Sequence, residues 1–159
     1  MITTLILGLA SCLSCSMPAR QKENTPQNNL PPMQLSLTDS TKVNARNLTG
    51  KKIMFILFQP DCGHCQNEAR QIAQRRAAFA SYTLYFIAEA SHEALVKFAH
   101  DYKLSGFSNI HFASTPEGSI GAYYGPIDAP SIYIYSSEGT LLNHFNGEME
   151  IDVVLKYLN

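Results

Sequence analysis

The sequence predicts an α/β fold: a central mixed β-sheet flanked by helices, with a β-hairpin at its N-terminal side. Three observations predict it. Residues 53–58 are a continuous apolar run, as expected of a strand buried on both faces in the middle of a sheet. At Gly63 the pattern switches to the helical period, and strand-like and helix-like runs then alternate. The last two strand-like runs, 131–135 and 141–145, are joined by the turn Ser137-Glu138-Gly139-Thr140, which gives the sheet an antiparallel edge. The implied order is β-hairpin, then β-α-β-α-β-α-β-β-α, with helices on both faces.

In chain order, residues 1–10 are apolar but too few to span a bilayer, and they fit the core of a signal peptide, residues 1–11. Leu9-Ala10-Ser11-Cys12 resembles a bacterial lipobox, which implies lipidation of Cys12 as the first mature residue; a basic segment ahead of the apolar run is missing. Cys15 does not fit that pattern. Residues 16–33 are rich in Pro, Gln and Asn with no apolar period, so residues 12–33 are expected to be a lipidated N-terminus and flexible linker. The globular domain is expected at 34–159. A chain of 159 residues, 45% hydrophobic, holds one such domain and its appendage. A formal charge of −1 gives no electrostatic pull toward nucleic acid or anionic lipid.

The domain opens with Gln34-Leu35-Ser36-Leu37 and Lys42-Val43-Asn44 around Asp39-Ser40, a hairpin. After the run at 53–58, Ala69, Ile72, Ala73, Phe79 and Ala80 form one helical stripe opposite Gln66, Asn67, Arg70, Gln71, Gln74 and Arg75. Residues 82–88 are a second core strand. Ser91 caps a helix in which Leu95, Phe98, Ala99 and Tyr102 repeat at i, i+3, i+4 and i+7. Residues 109–113 read as a short strand. Ser114-Thr115-Pro116-Glu117 resembles a capping box and predicts a short helix from there to Gly125-Pro126. Ile151, Val154, Leu155 and Leu158 form a final amphipathic helix.

The chemistry concentrates at Asp61-Cys62-Gly63-His64-Cys65, between the first core strand and the helix it enters. Two cysteines two residues apart on a first helical turn lie close enough to bond each other. The first sits by the unpaired N–H groups of the helix N-terminus, which favour a thiolate, the nucleophile of disulfide exchange. Glu68, three residues after Cys65, edges the buried face of the same helix. A disulfide closing so short a loop adds little stability, so a redox role outweighs a structural one. Cys12/Cys15 and Cys62/Cys65 are two CxxC pairs, but their separation and the leader around the first pair argue against a zinc ribbon. His92, His100, His111 and His144 have no ligand-like spacing, so no resident metal is expected.

These residues resemble a family. The strand–Cys62-Gly63-His64-Cys65–helix unit, the Ala129-Pro130-Ser131 step before a strand and the closing β-β-α are similar to the thioredoxin superfamily. The lipobox, linker, N-terminal hairpin and Glu68 narrow the resemblance to the TlpA/ResA-like extracytoplasmic thiol–disulfide oxidoreductases. The resemblance implies a thioredoxin-like fold with Cys62 as attacking and Cys65 as resolving thiol. It implies Pro130 as a cis-proline facing them, Ala129 as a backbone contact for an extended peptide substrate, and Glu68 as a proton relay. His64 and Gly63 between the cysteines, and Asp61 before them, would modulate the pair. Asp61 stands where the family usually has tryptophan, and Ile56 where cytosolic thioredoxins bury an aspartate.

The expected cofactor is the redox pair itself and nothing else. The expected partners are exported protein thiols and disulfides, a membrane electron donor or acceptor, and the membrane through the lipid anchor. No nucleic-acid partner is expected, and the chain is expected to be a monomer on the periplasm-facing side of a bacterial cell envelope. Reduction of substrate disulfides is the leading reading. Oxidation or isomerisation, and copper carriage by Cys62, Cys65 and a histidine, are the alternatives; a peroxidase reading is weaker, because the proline–threonine–cysteine signature is absent around Pro60.

Overall fold

The run Lys52–Leu57 is apolar at every position but the first because the strand it forms, β3, is covered on both sides. A computed structural model describes residues 29–158. The expected signal peptide, the Cys12 lipidation site and the linker up to residue 28 lie outside the described residues. Around β3 stand β1 (Gln34–Leu37), β2 (Lys42–Asn44), α1 (Gly63–Gln74), β4 (Tyr82–Ala88), α2 (His92–Asp101), β5 (Ile110–Ser114), α3 (Ser119–Tyr124), β6 (Ser131–Tyr135), β7 (Leu141–Asn146) and α4 (Ile151–Leu155).

The strands form one seven-stranded sheet in the order β2-β1-β5-β4-β3-β6-β7. β3, β4 and β5 run parallel, and β1 and β6 join antiparallel at the two sides. β1 and β2 pair as a hairpin with Leu35 opposite Val43. The strand period of two splits the core. Met54, Ile56, Leu84, Phe86, Ile132 and Ile134 face α1 and α2, where Ala69, Ile72, Leu95 and Phe98 meet them. Ile53, Phe55, Leu57, Tyr85, Ile87 and Tyr133 face the other way, toward Leu35 and the α3 residues Ile120 and Tyr124. Each large side chain so buried contributes about 1.5–3 kcal/mol.

Three expectations are corrected. The packed domain reaches back to residue 29 rather than starting at Gln34. Leu30 and Met33 are buried, Leu30 N–H donates to the Gly139 carbonyl at 2.9 Å, and Ala45 N–H donates to the Met33 carbonyl at 2.8 Å. Single apolar anchors in an irregular segment leave no periodic trace. The stripe ending at Ala80 is not one helix: α1 stops at Gln74, and a tight turn over Arg76–Phe79 buries Phe79 but leaves Ala80 exposed. The Ser114–Glu117 sequence is not a capping box. Thr115 Oγ1 donates to the Gln34 carbonyl, and α3 starts later, with Glu89 accepting from Gly118 N–H at 3.0 Å and Ile120 N–H at 2.8 Å.

Candidate active site

The end of β3 positions the reactive turn. Phe58 N–H extends the strand's bonding to the Ile87 carbonyl, and Cys62 N–H then closes a turn onto the Gln59 carbonyl at 3.2 Å. Cys62 is the N-cap of α1, with extended backbone (φ −80°, ψ 120°), and its Sγ accepts from Cys65 N–H at 3.4 Å. The sulfur therefore occupies the place of the usual Ser or Asp oxygen, where free helix N–H groups meet negative charge. Cys62 is half-buried and Cys65 only 2% exposed, and both are free thiols. Asp61, Gly63 and His64 are exposed around them.

Cys65 lies in the apolar cluster with Ile56, Phe86 and Ile132. Burial pushes its thiol up to about 12, against the one stabilising contact to sulfur, the Gln59 N–H at 3.5 Å. The neighbouring Cys62 and Glu68 charges push the same way. One turn on, Glu68 is 1% exposed. Its Oε2 accepts from Met149 N–H at 3.3 Å, while Oε1 is buried without a hydrogen-bond partner among the described residues. Burial pushes this carboxyl up to about 8; the Met149 N–H opposes the shift and the charge of Glu148 adds to it. The site thus places a buried carboxyl one turn from a buried thiol. Ile56 on β3 is buried and apolar, and the buried carboxyl near the thiols is Glu68 on α1.

From the other side comes the loop before β6. The Ala129–Pro130 peptide is cis, Pro130 is buried, and the thiol of Cys62 donates to the Ala129 carbonyl at 3.6 Å. Asn146 at the end of β7 braces this loop, accepting from Asp128 N–H at 3.0 Å and donating to the Asp128 carboxylate at 3.2 Å. The fold sets Cys62, Cys65 and Glu68 on the first turns of α1 and brings Ala129, with Pro130 after it, against Cys62. Of the other histidines, His92, His100 and His144 are exposed and His111 stacks on Tyr85 within the sheet.

The structure adds Glu148, which the sequence reading missed. Its carboxylate accepts from Asn67 and pairs with His64 Nδ1 at 2.5 Å. These partners hold Glu148 below the usual carboxylate range. Gly147-Glu148 after a strand signals a turn, but nothing in that pattern says which helix the turn meets. On the opposite side of Cys62, a cleft of about 590 Å³ opens between Phe58, Glu89, Ile120, Gly125, Ile127 and Ala129. α3 supplies one wall of it.

Residues 26–144 match the AhpC/TSA family, three quarters of the chain. The chain belongs to the AhpC/TSA family. Its fold is the thioredoxin-like fold of thiol–disulfide oxidoreductases. Among solved structures it is similar to a secreted Mycobacterium tuberculosis disulfide oxidoreductase homologous to Escherichia coli DsbE, at 24% identity over 79% of this chain and 93% of that one, with TM-score 0.66. StoA from Bacillus subtilis matches at 16% identity, 82% and 99% coverage and TM-score 0.63. Copper-bound ScoI from Arabidopsis thaliana matches at 14% identity, 80% and 96% coverage and TM-score 0.64. No curated protein sequence matches the chain.

Proposed function

We propose that the chain is a thiol–disulfide oxidoreductase that reduces disulfides in exported proteins. The observation that carries this reading is the depth order at the helix start. Cys62 Sγ stands at the N-cap, at the mouth of a cleft, with Cys65 and the Glu68 carboxyl buried behind it. Cys62 thiolate attacks one sulfur of a substrate disulfide, and the other substrate sulfur leaves as a thiolate. Cys65 then gives its proton to the Glu68 carboxylate and attacks Cys62 Sγ. The Cys62–Cys65 bond forms, the mixed disulfide breaks, and two electrons have passed to the substrate. The substrate lies extended along Ala129, whose backbone borders the cleft. His64, Gly63 and Asp61 tune the pair from its exposed side.

Reduction of insulin by the dithiol protein, lost in Cys62→Ser and stalled as a mixed disulfide in Cys65→Ser, tests the reading. The potential of the pair assigns direction: a value near the about −270 mV of thioredoxin fits a reductase, and one near the about −180 mV of disulfide isomerase fits the alternative. Copper carriage is the second alternative. Among the described residues no three His, Cys, Asp or Glu group together, so the donors on offer are the two sulfurs. Cu(I) titration of the reduced protein tests this directly.

The lipobox-like Leu9-Ala10-Ser11-Cys12 supports anchoring at Cys12 to a membrane of a bacterial cell envelope, with the domain facing exported proteins and a membrane electron donor. Acyl mass on Cys12 and its loss in Cys12→Ala test the anchor; a mature chain starting elsewhere refutes it. Among the described residues no helix is long and apolar enough to cross a membrane.

A further inference from the structure

The loop between β7 and α4 grips one face of α1 at three successive levels. Glu148 pairs with His64, between the two cysteines, and with Asn67. Met149 N–H donates to Glu68, and Ile151 N–H donates to Gln71 Oε1 at 2.9 Å. Glu148 holds α1 through side-chain hydrogen bonds, and it does so at the exposed edge of the redox turn.

We propose that Glu148 is a positioning residue of the redox site: its grip on His64 and Asn67 docks the loop so that the Met149 N–H stays on Glu68, and its charge stands beside that carboxyl. The proposal rests on Glu68 being the proton carrier of the site, as read above. The two effects of Glu148 on Glu68 oppose each other. The docked N–H stabilises the carboxylate, and the nearby negative charge destabilises it. The groups facing Glu68 are Cys65 on its own helix and Met149 N–H and Glu148 from the loop. Glu148 in turn faces His64, Asn67 and the charge of Arg70. β3 and β6 contribute Met54, Ile56, Ile132 and Ile134 to the adjoining cluster, and none of them titrates.

Two substitutions separate the effects. Glu148→Gln keeps an acceptor for Asn67 and turns an N–H toward His64 Nδ1 but removes the charge, so the Glu68 midpoint should fall. Glu148→Ala removes charge and grip together. Glu148→Ala also takes the Met149 N–H, the carboxylate's one hydrogen bond among the described residues, from Glu68, so its midpoint should stand above that of Glu148→Gln. The readout is the side-chain carbon titration of Glu68 in reduced protein labelled at glutamate, the signal identified by its loss in Glu68→Gln. It needs no substrate, so its failure is distinct from failure of the enzymatic reading. A tether that only stabilises the fold would lower the denaturation midpoint of both variants and leave the Glu68 titration in place. A midpoint lowered in Glu148→Gln and standing higher in Glu148→Ala supports the proposal. Unchanged midpoints, or equal shifts in the two variants, overturn it.

Discussion

Met149 N–H donates to Glu68 Oε2 across 3.3 Å, and among the described residues this is the one hydrogen bond to a carboxyl that is 1% exposed. A single neutral donor does not replace the water a carboxylate loses on burial. The balance therefore favours the protonated form, and the carboxyl sits at about 8 instead of its ordinary 4.5. The carboxylate form that takes the Cys65 proton is thus the minority below about 8 and grows as pH rises.

That displacement has a consequence for stability. Between about 4.5 and about 8 the folded chain keeps a proton on Glu68 that the unfolded chain has released. Folding stability therefore falls as pH rises through this window, because the native state binds more protons. Urea denaturation of the wild type should show this decline. Glu68→Gln should lack it and should be the more stable protein above about pH 8.5, by a few kcal/mol. A parallel pH dependence in the two proteins would refute the assignment.

The same substitution should slow chemistry while it stabilises the fold. Without the carboxylate, the Cys65 proton must leave to water from a thiol held at about 12. The closing of the Cys62–Cys65 bond, followed by single-turnover release from a mixed disulfide, should slow by roughly 10²-fold or more in Glu68→Gln. Formation of the mixed disulfide by Cys62 should change little. Equal slowing of both steps would mean that Glu68 acts on the first thiol as well.

The two thiols should also separate under alkylation. Cys65 is 2% exposed, and at about 12 it carries on the order of a thousandfold less thiolate than an ordinary cysteine of about 8.5. Iodoacetamide at neutral pH should therefore label Cys62 well before Cys65 in the native reduced protein, and in Cys62→Ser almost no rapid labelling should fall on Cys65. Prompt labelling of Cys65 in that variant would reverse the order of attack and resolution.

Much of this was legible in the chain, for physical reasons that also mark where legibility stops. β3, β4 and β6 are buried on both faces, so burial wrote mostly apolar runs, without strand-like alternation, at Lys52–Leu57, Tyr82–Ala88 and Ser131–Tyr135. The cysteine spacing is local, and so is the cap that Ser91 supplies to Ala94 N–H. The pairs His64–Glu148 and Glu68–Met149 join residues more than eighty positions apart, and no local pattern encodes them. α3 misled the reading because its N–H groups are met from Glu89, on the far side of α2 in the chain. The Ser114–Glu117 sequence has the composition of a capping box, but tertiary structure uses Thr115 elsewhere.

Glu89 carries its own prediction. It is exposed, yet both its oxygens accept N–H groups from the start of α3, which has no cap of its own. Glu89→Ala should cost about 0.5–2 kcal/mol, the usual loss for a helix cap. α3 walls the cleft beside Cys62, so reaction with a protein substrate should weaken more than reaction with a small aromatic disulfide. Equal loss on both substrates would mean that the wall plays no part in substrate binding.

The irregular segment before β1 gives the last prediction. Leu30 is 4% exposed, and its side chain lies under Gly139 at the β6–β7 turn. Gly139 has φ +82°, which other residues adopt with strain, and a Cβ there would stand 3.1 Å from Leu30 Cδ1. The two positions are thus fitted to each other, and the backbone bond from Leu30 N–H to the Gly139 carbonyl fixes the fit. Leu30→Ala should cost about 2–4 kcal/mol through lost burial and the space left behind. Gly139→Ala should be destabilising both from its backbone and from the contact. In the double variant the contact disappears and only the backbone cost of Gly139→Ala remains, so its loss should be smaller than the sum of the two single losses. A chain beginning at residue 34 should be less stable than one beginning at 26, by at least the loss from Leu30→Ala. Equal denaturation midpoints for those two chains would show that the segment merely lies against the domain, and the boundary would return to Gln34.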